Sequence, residues 1–202
     1  MKKLLFFAMI ALAAVSCTRD NPDPLKTDDS YTKWLGNWRV PRGITEYSDT
    51  WKVEPDVPNE SFKVSGISGF SKTDKANGAF VAIVEFDKKT KEMVFKVYEN
   101  SDVTWNDSSR GTMTPFLSGR YTNVEGKTYY NSNIGVVICR AKLSKDGKSA
   151  SLTPSTVTSA GAPASFFRIL WFGRYTNSEG SIKAVSWTDC ETELPATMTK
   201  AE

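Results

Sequence analysis

Beyond residue 30 the chain shows almost no helical periodicity. Short runs rich in Val, Ile, Phe, Tyr, Trp and Thr recur instead, bounded by clusters of Gly, Asn, Asp, Ser and Lys. That is the pattern of strands and turns. Strands are predicted over 36–40, 50–54, 61–67, 80–86, 92–98, 113–121, 134–143, 149–153, 166–175, 181–188 and 196–200. Runs 80–86 and 92–98 flank a connection of hairpin length. Runs 134–143 and 149–153 flank a loop carrying Asp146-Gly147, a strong turn pair. Mostly hairpin-connected strands predict an all-β fold, a single up-and-down antiparallel barrel of about 8–10 strands. Stretches 102–110 and 155–163 read as loops, the first polar and the second built of small residues.

Two runs carry chemistry. In 80–86 both parities are apolar except at Glu85, which is expected to reach into a cavity or meet a basic partner. In 166–172 one parity, Phe167, Ile169 and Trp171, is plain core. The other, Phe166, Arg168, Leu170 and Phe172, is a candidate ligand face with Arg168 as its anchor. Trp105 and Tyr130 sit beside polar residues and are expected to be exposed, where their rings can stack on a ligand. Arg168, Glu85, Trp105 and Tyr130 are therefore the candidate ligand-binding residues. One segment repeats at the letter level: Gly119-Arg120-Tyr121-Thr122-Asn123-Val124-Glu125-Gly126 returns as Gly173-Arg174-Tyr175-Thr176-Asn177-Ser178-Glu179-Gly180. Recurring hairpin chemistry explains it most simply. The alternative places two Arg-Tyr pairs at one barrel rim.

The first stretch is of another kind. Lys2 and Lys3 precede an unbroken apolar run, 4–15, too short for a bilayer-spanning helix, which takes about 20 residues. It reads as a secretory signal. The run ends in Leu12-Ala13-Ala14-Val15-Ser16-Cys17, which resembles the bacterial lipobox. The resemblance implies cleavage before Cys17 and its acylation with chains such as palmitate, an outer-membrane address, and a domain facing the periplasm or the cell surface. Asp20 and Asp23 resemble a weak surface-export signal. The expected organisation is a signal peptide over 1–16, a lipidated Cys17 and tether over 17–30, and a barrel over 31–202.

The segment Trp34-Leu35-Gly36-Asn37-Trp38 carries a G-x-W triplet that resembles the opening of lipocalins, and of the lipocalin-like lipoproteins of gut Gram-negative bacteria. That resemblance implies a calycin-type barrel in which Gly36 lets the chain turn and Trp38 plugs the closed end. It also implies a short final strand, 194–200, pairing beside the first. In that family an arginine packs over the tryptophan, and Arg168 and Arg174 are the candidates here. The second lipocalin motif, T-D-Y, is absent.

Composition narrows the function. Among 202 residues, Lys+Arg number 26 and Asp+Glu 23, and removing Lys2 and Lys3 leaves near neutrality. No basic stripe suited to nucleic acid results. Histidine is absent, which excludes Ser-His-Asp and Cys-His nucleophiles and His-based zinc sites. No phosphate loop, dinucleotide fingerprint or metal-ligand spacing occurs, so no catalytic residue, metal or cofactor is assigned. Of the mature cysteines, Cys139 lies in an apolar strand and Cys190 in a polar stretch, and sequence leaves open whether they pair. The expectation is a non-enzymatic, membrane-anchored binding protein for a small apolar or glycan ligand. The alternative is an accessory subunit that meets a protein partner at an outer-membrane complex.

Overall fold

The structure, a computed structural model, describes residues 27–42, 47–70, 80–100, 105–107, 111–176, 182–186 and 191–201. The leader with Cys17, Asp20 and Asp23 lies outside the described residues, as do Trp187 and Cys190. Among the described residues one short α-helix, α1 (Asp29–Thr32), precedes sixteen strands, with a 3-10 turn at Ile67–Gly69. These are β1 (Gly36–Pro41), β2 (Ser48–Pro55), β3 (Ser61–Ser65), β4 (Val81–Asp87), β5 (Glu92–Lys96), β6 (Tyr98–Glu99), β7 (Trp105–Asp107) and β8 (Gly111–Thr122). They continue as β9 (Thr128–Tyr130), β10 (Val137–Leu143), β11 (Ser149–Pro154), β12 (Thr156–Ser159), β13 (Ala162–Thr176), β14 (Ile182–Ser186), β15 (Thr192–Glu193) and β16 (Ala196–Lys200).

Eight strands close into an antiparallel barrel in the cyclic order β1-β16-β11-β10-β5-β4-β3-β2. Closure is made by β16, which lies beside β1 with Trp38 opposite Lys200. Alternation decides what fills the interior. Trp38 and Val40 of β1, Trp51 and Val53 of β2, Phe62 and Val64 of β3, and Ala82, Val84 and Phe86 of β4 are all buried. On β5, β10, β11 and β16 the inward set is Met93 and Phe95, Cys139 and Ala141, Ala150 and Leu152, and Met198. These side chains belong to one continuous apolar cluster, with Trp51 and Phe95 rings 5.4 Å apart. Packing of this kind sets stability, because truncating a buried Trp or Phe costs about 3–5 kcal/mol.

One barrel end, the base, is closed by α1 and the turn after it. The Tyr31 hydroxyl donates to Ser61 O at 2.7 Å, and Trp34 Nε1 donates to Lys91 O at 3.2 Å. Trp38 Nε1 donates to Trp34 O at 2.7 Å, and the two indoles meet at 5.7 Å. Gly36 takes φ +114°, a left-handed value that a side chain resists, and there the chain turns from base into wall. The cation over Trp38 is Lys200, at 5.3 Å. Neither Arg168 nor Arg174 fills that position; both lie in a different sheet.

That second sheet is the main departure from a plain meander. Strands β6–β9 are inserted between β5 and β10, and strands β12–β15 between β11 and β16. Both insertions leave and return at the barrel end opposite α1. They form one sheet around the long pair β8 and β13, with β14 and β15 beside β13, and β6 and β9 beside β8. The runs expected at 113–121 and 166–175 are thus strands, but of this cap. Its barrel-facing side presents Trp171, whose ring meets Phe80 edge-on at 5.7 Å.

Two expected loops also differ. Residues 105–107 form β7, and most of 155–163 forms β12 and the start of β13. Thr156-Val157-Thr158 suits a strand, and Ala160 and Gly161 both adopt positive φ, the geometry of a tight two-residue hairpin turn. The small residues that suggested a loop are the requirement of that turn.

Candidate functional site

The cap has two faces, and register assigns them. Arg168 pairs with Arg120, Leu170 with Ser118, Phe172 with Phe116, and Arg174 with Thr114, so all eight share one side. The opposite side carries Ile169, Trp171, Gly119 and Leu117 toward the barrel. Between Phe166 and Arg168 the register shifts by one residue. A shift of that kind exchanges faces. Phe166 therefore packs on the barrel side, 2.5 Å from where a Cβ on Gly119 would sit, whereas Phe167 joins the arginines. The sequence-based parity of these two phenylalanines is thereby reversed.

On the face turned away from the barrel, whose middle residues Leu170, Ser118, Phe116 and Phe172 are themselves buried, Arg168 meets two carboxylates. Its Nη1 donates to Glu191 at 2.6 Å and its Nη2 to Glu193 at 3.1 Å. Arg120 Nη1 reaches both oxygens of Glu191, at 2.8 and 2.9 Å. The Glu191 side chain is 3% exposed, and each arginine side chain slightly more than 20%. Glu191 holds the Arg168 guanidinium above its ordinary pKa, chiefly through their hydrogen bond. Arg120 stacks 5.3 Å over the Tyr130 ring, and Arg168 lies 5.6 Å over Phe167. Two cations, each beside an aromatic ring, are thus held together by two anions. The lattice is charge-balanced, and its rims remain open to solvent.

Of the sequence-predicted residues, Arg168 and Tyr130 come together here. Glu85 does not. It stands on the outer wall of the barrel, half exposed, ion-paired with Lys96. The backbone of Trp105 lies in β7, opposite Met113, and its side chain falls outside the described residues. Gly36 and Trp38 lie at the base. Sequence reading missed Arg120, Glu191, Glu193 and Phe167 as members of one site. The repeat had marked Arg120, but nothing in the sequence pattern singled out Glu191 or Glu193.

Cys139 is a free thiol inside the barrel, and burial pushes its pKa strongly upward. Among the described residues there is no cluster of His, Cys, Asp and Glu fit for a metal ion. A shallow groove of about 290 Å³ lies outside the barrel along β10, β11 and β16, lined by Lys142, Ser144, Ser149, Ser151 and Thr197 among others. No protein-family model, curated protein or solved structure matches the chain.

Proposed function

We propose that this is a non-enzymatic, lipid-anchored outer-membrane protein that binds a glycan at the part-exposed edge of its cap around Arg120 and Arg168. The carrying observation is the Arg120–Glu191–Arg168–Glu193 lattice laid against Tyr130 and Phe167. A fixed array of donors and acceptors beside ring faces suits a polyhydroxylated ligand. Its groups are held before binding, so little ordering entropy is lost on association. An apolar ligand within the barrel is less well supported, because the inward side chains pack on one another. The lipocalin likeness rests on Gly36, Trp38 and the closing strand, within a calycin-like barrel.

The anchor reading adds a direction. A tether from Cys17 enters at α1, at the base, so the cap projects away from the anchored end. Acyl chains contribute about 0.8 kcal/mol per buried CH₂, and more than one chain anchors stably. Replacing Cys17 by Ala is expected to release the protein from the membrane fraction.

The test is a glycan array carrying neutral and acidic members, probed with the full mature chain. Retention of neutral glycans, lost in Tyr130→Ala, is expected. Absence of neutral binders, or binding indifferent to Tyr130→Ala, overturns the reading. A protein-partner reading has one observation behind it: Val124, Tyr129 and Ile134 are exposed on the β8–β9 hairpin and the loop after it.

A further inference from the structure

We infer that the base of the barrel is a docking face for anionic lipid headgroups, carried by Lys33, Lys145, Lys148 and Lys200. This rests on the lipid-anchor reading above and extends it. Three separate segments bring these lysines together. Lys33 follows α1, Lys145 and Lys148 lie in the turn between β10 and β11, and Lys200 ends β16. Lys200 N donates to Lys148 O at 2.8 Å, and Lys200 Nζ donates to Lys33 O at 2.8 Å. The Lys33 side chain lies against the turn, its Cδ 3.7 Å from where a Cβ on Gly147 would stand. All four lysines are exposed, and so is Lys142 on the wall just above the turn.

The charge on this side is uncompensated. Two described acids share it, Asp29 and Asp146. Asp146 Oδ1 already accepts from Ser144 Oγ at 2.6 Å and from Lys148 N at 3.0 Å. Among the described residues no carboxylate forms an ion pair with any of the four lysines. The rest of the base is different. Lys88 pairs with Glu60, Lys91 with Asp28, and Lys63 with Asp56. Arg140 takes both Asp87 and Glu92, and the exposed Lys89 offsets the second of these acids. The excess of positive charge is therefore gathered where α1, the β10–β11 turn and the end of β16 meet.

The tether names the partner. Eleven residues separate Cys17 from Asp29. Even fully extended, that span holds α1 within about 40 Å of an acylated Cys17. The base is thus the end of the barrel that the anchor draws toward the bilayer. Ammonium groups on long stems suit a lipid surface, because they meet phosphates as point charges and need no shaped pocket. Each lysine brought close to an anionic leaflet raises partitioning about fivefold. The attraction fades beyond a Debye length of about 8 Å at physiological salt. It therefore acts once the anchor has brought the base to the surface. The acyl chains retain the protein, and the lysines orient it with the cap pointing away.

The experiment uses the full mature chain with Cys17→Ala, which carries no acyl group. Its probes are vesicles of phosphatidylcholine alone, and of phosphatidylcholine and phosphatidylglycerol in equal parts. Co-sedimentation at low salt is expected to show at least about tenfold stronger binding to the anionic vesicles, lost when salt screens the charges. Lys145→Glu with Lys148→Glu should weaken that binding at least about tenfold. Lys127→Glu with Lys183→Glu makes the same charge change on the cap and should leave binding within about twofold of the parent. Circular dichroism checks that the variants fold. Equal binding to both vesicles, or an equal loss from the cap pair, overturns the docking face and leaves the anchor reading standing. Mass spectrometry of the parent with Cys17 intact reads the anchor separately. An unacylated Cys17 removes that reading, and with it the reason for the base to face a bilayer.

Discussion

Arg168 lies directly across from Arg120 in paired strands, and both guanidiniums close on the carboxylate of Glu191. Like charges opposite one another destabilise a sheet. Here one nearly inaccessible acid neutralises the pair, and Glu193 completes the balance. The strap bearing both acids leads into β16, the strand that closes the barrel. The site's electrostatics and the joining of cap to barrel therefore share residues.

Glu191→Gln should lower stability by about 1–3 kcal/mol, less than a fully buried pair would cost because the arginines keep some water. For a domain of this size that is a fall of several degrees in Tm. Replacing Arg120 by Leu in the same chain should recover part of the loss, since one unpaired cation goes with it. Urea midpoints for the single and double variants check this. A single variant as stable as the parent would show that the ion lattice contributes nothing to the fold.

Gly119 shows a different constraint. A Cβ there would stand 2.5 Å from a Phe166 ring carbon and 2.8 Å from Ile138 Cγ2. Gly119→Ala should therefore cost about 1–3 kcal/mol by overpacking. Gly126 sits in open space at φ +76°, so Gly126→Ala meets only the backbone penalty of about 1–2 kcal/mol. Denaturation that ranks Gly126→Ala as clearly the worse of the two would refute the close approach at Gly119.

Much of the barrel was legible because its strands alternate and its turns carry their own chemistry. Asp146-Gly147 and the 87–91 connection place β10–β11 and β4–β5 without tertiary information. The final strand was recognisable by its likeness to a closing strand. The division into barrel and cap was not legible. Strands 111–122 and 162–176 have the same composition as wall strands, and only pairing distinguishes them. The faces at Phe166 and Phe167 were reversed because a one-residue bulge leaves no mark in the sequence pattern. The site was half legible. Arg168 stood out as a charge on an apolar run, whereas Glu191 and Glu193 gain meaning only from arginines 71 and 25 positions away.

Cys139 tests the barrel interior. It is fully buried, and its thiol is pushed far above the ordinary cysteine range by that burial. A thiol that cannot ionise or meet solvent does not alkylate. Under native conditions at pH 8, peptide mapping after iodoacetamide should leave Cys139 unmodified, and denaturant should make it react fully. Rapid native labelling would mean that the barrel opens easily.

Asp49 gives the last prediction, a dependence on pH. Its carboxylate faces inward at the mouth, almost wholly buried, with Arg42 as ion partner. Burial raises its pKa, and that effect outweighs the opposing pull of Arg42. An acid that binds its proton more tightly when folded stabilises the fold at low pH. That contribution is lost as pH rises from the unfolded value through the folded one. Relative to Asp49→Asn, which cannot ionise, the parent should be most stable in acid and should lose ground as pH rises toward neutrality. Asp87 provides the opposite sign. Backbone N–H groups of Thr90 and Lys89 and the Arg140 guanidinium hold its pKa at about 2. The parent's advantage over Asp87→Asn should be complete above the ordinary aspartate value and vanish as pH falls through about 2. Urea midpoints across the acid range decide both. If the parent gains on Asp49→Asn as pH rises, Arg42 outweighs burial and the mouth of the barrel is wetter than its side chains imply.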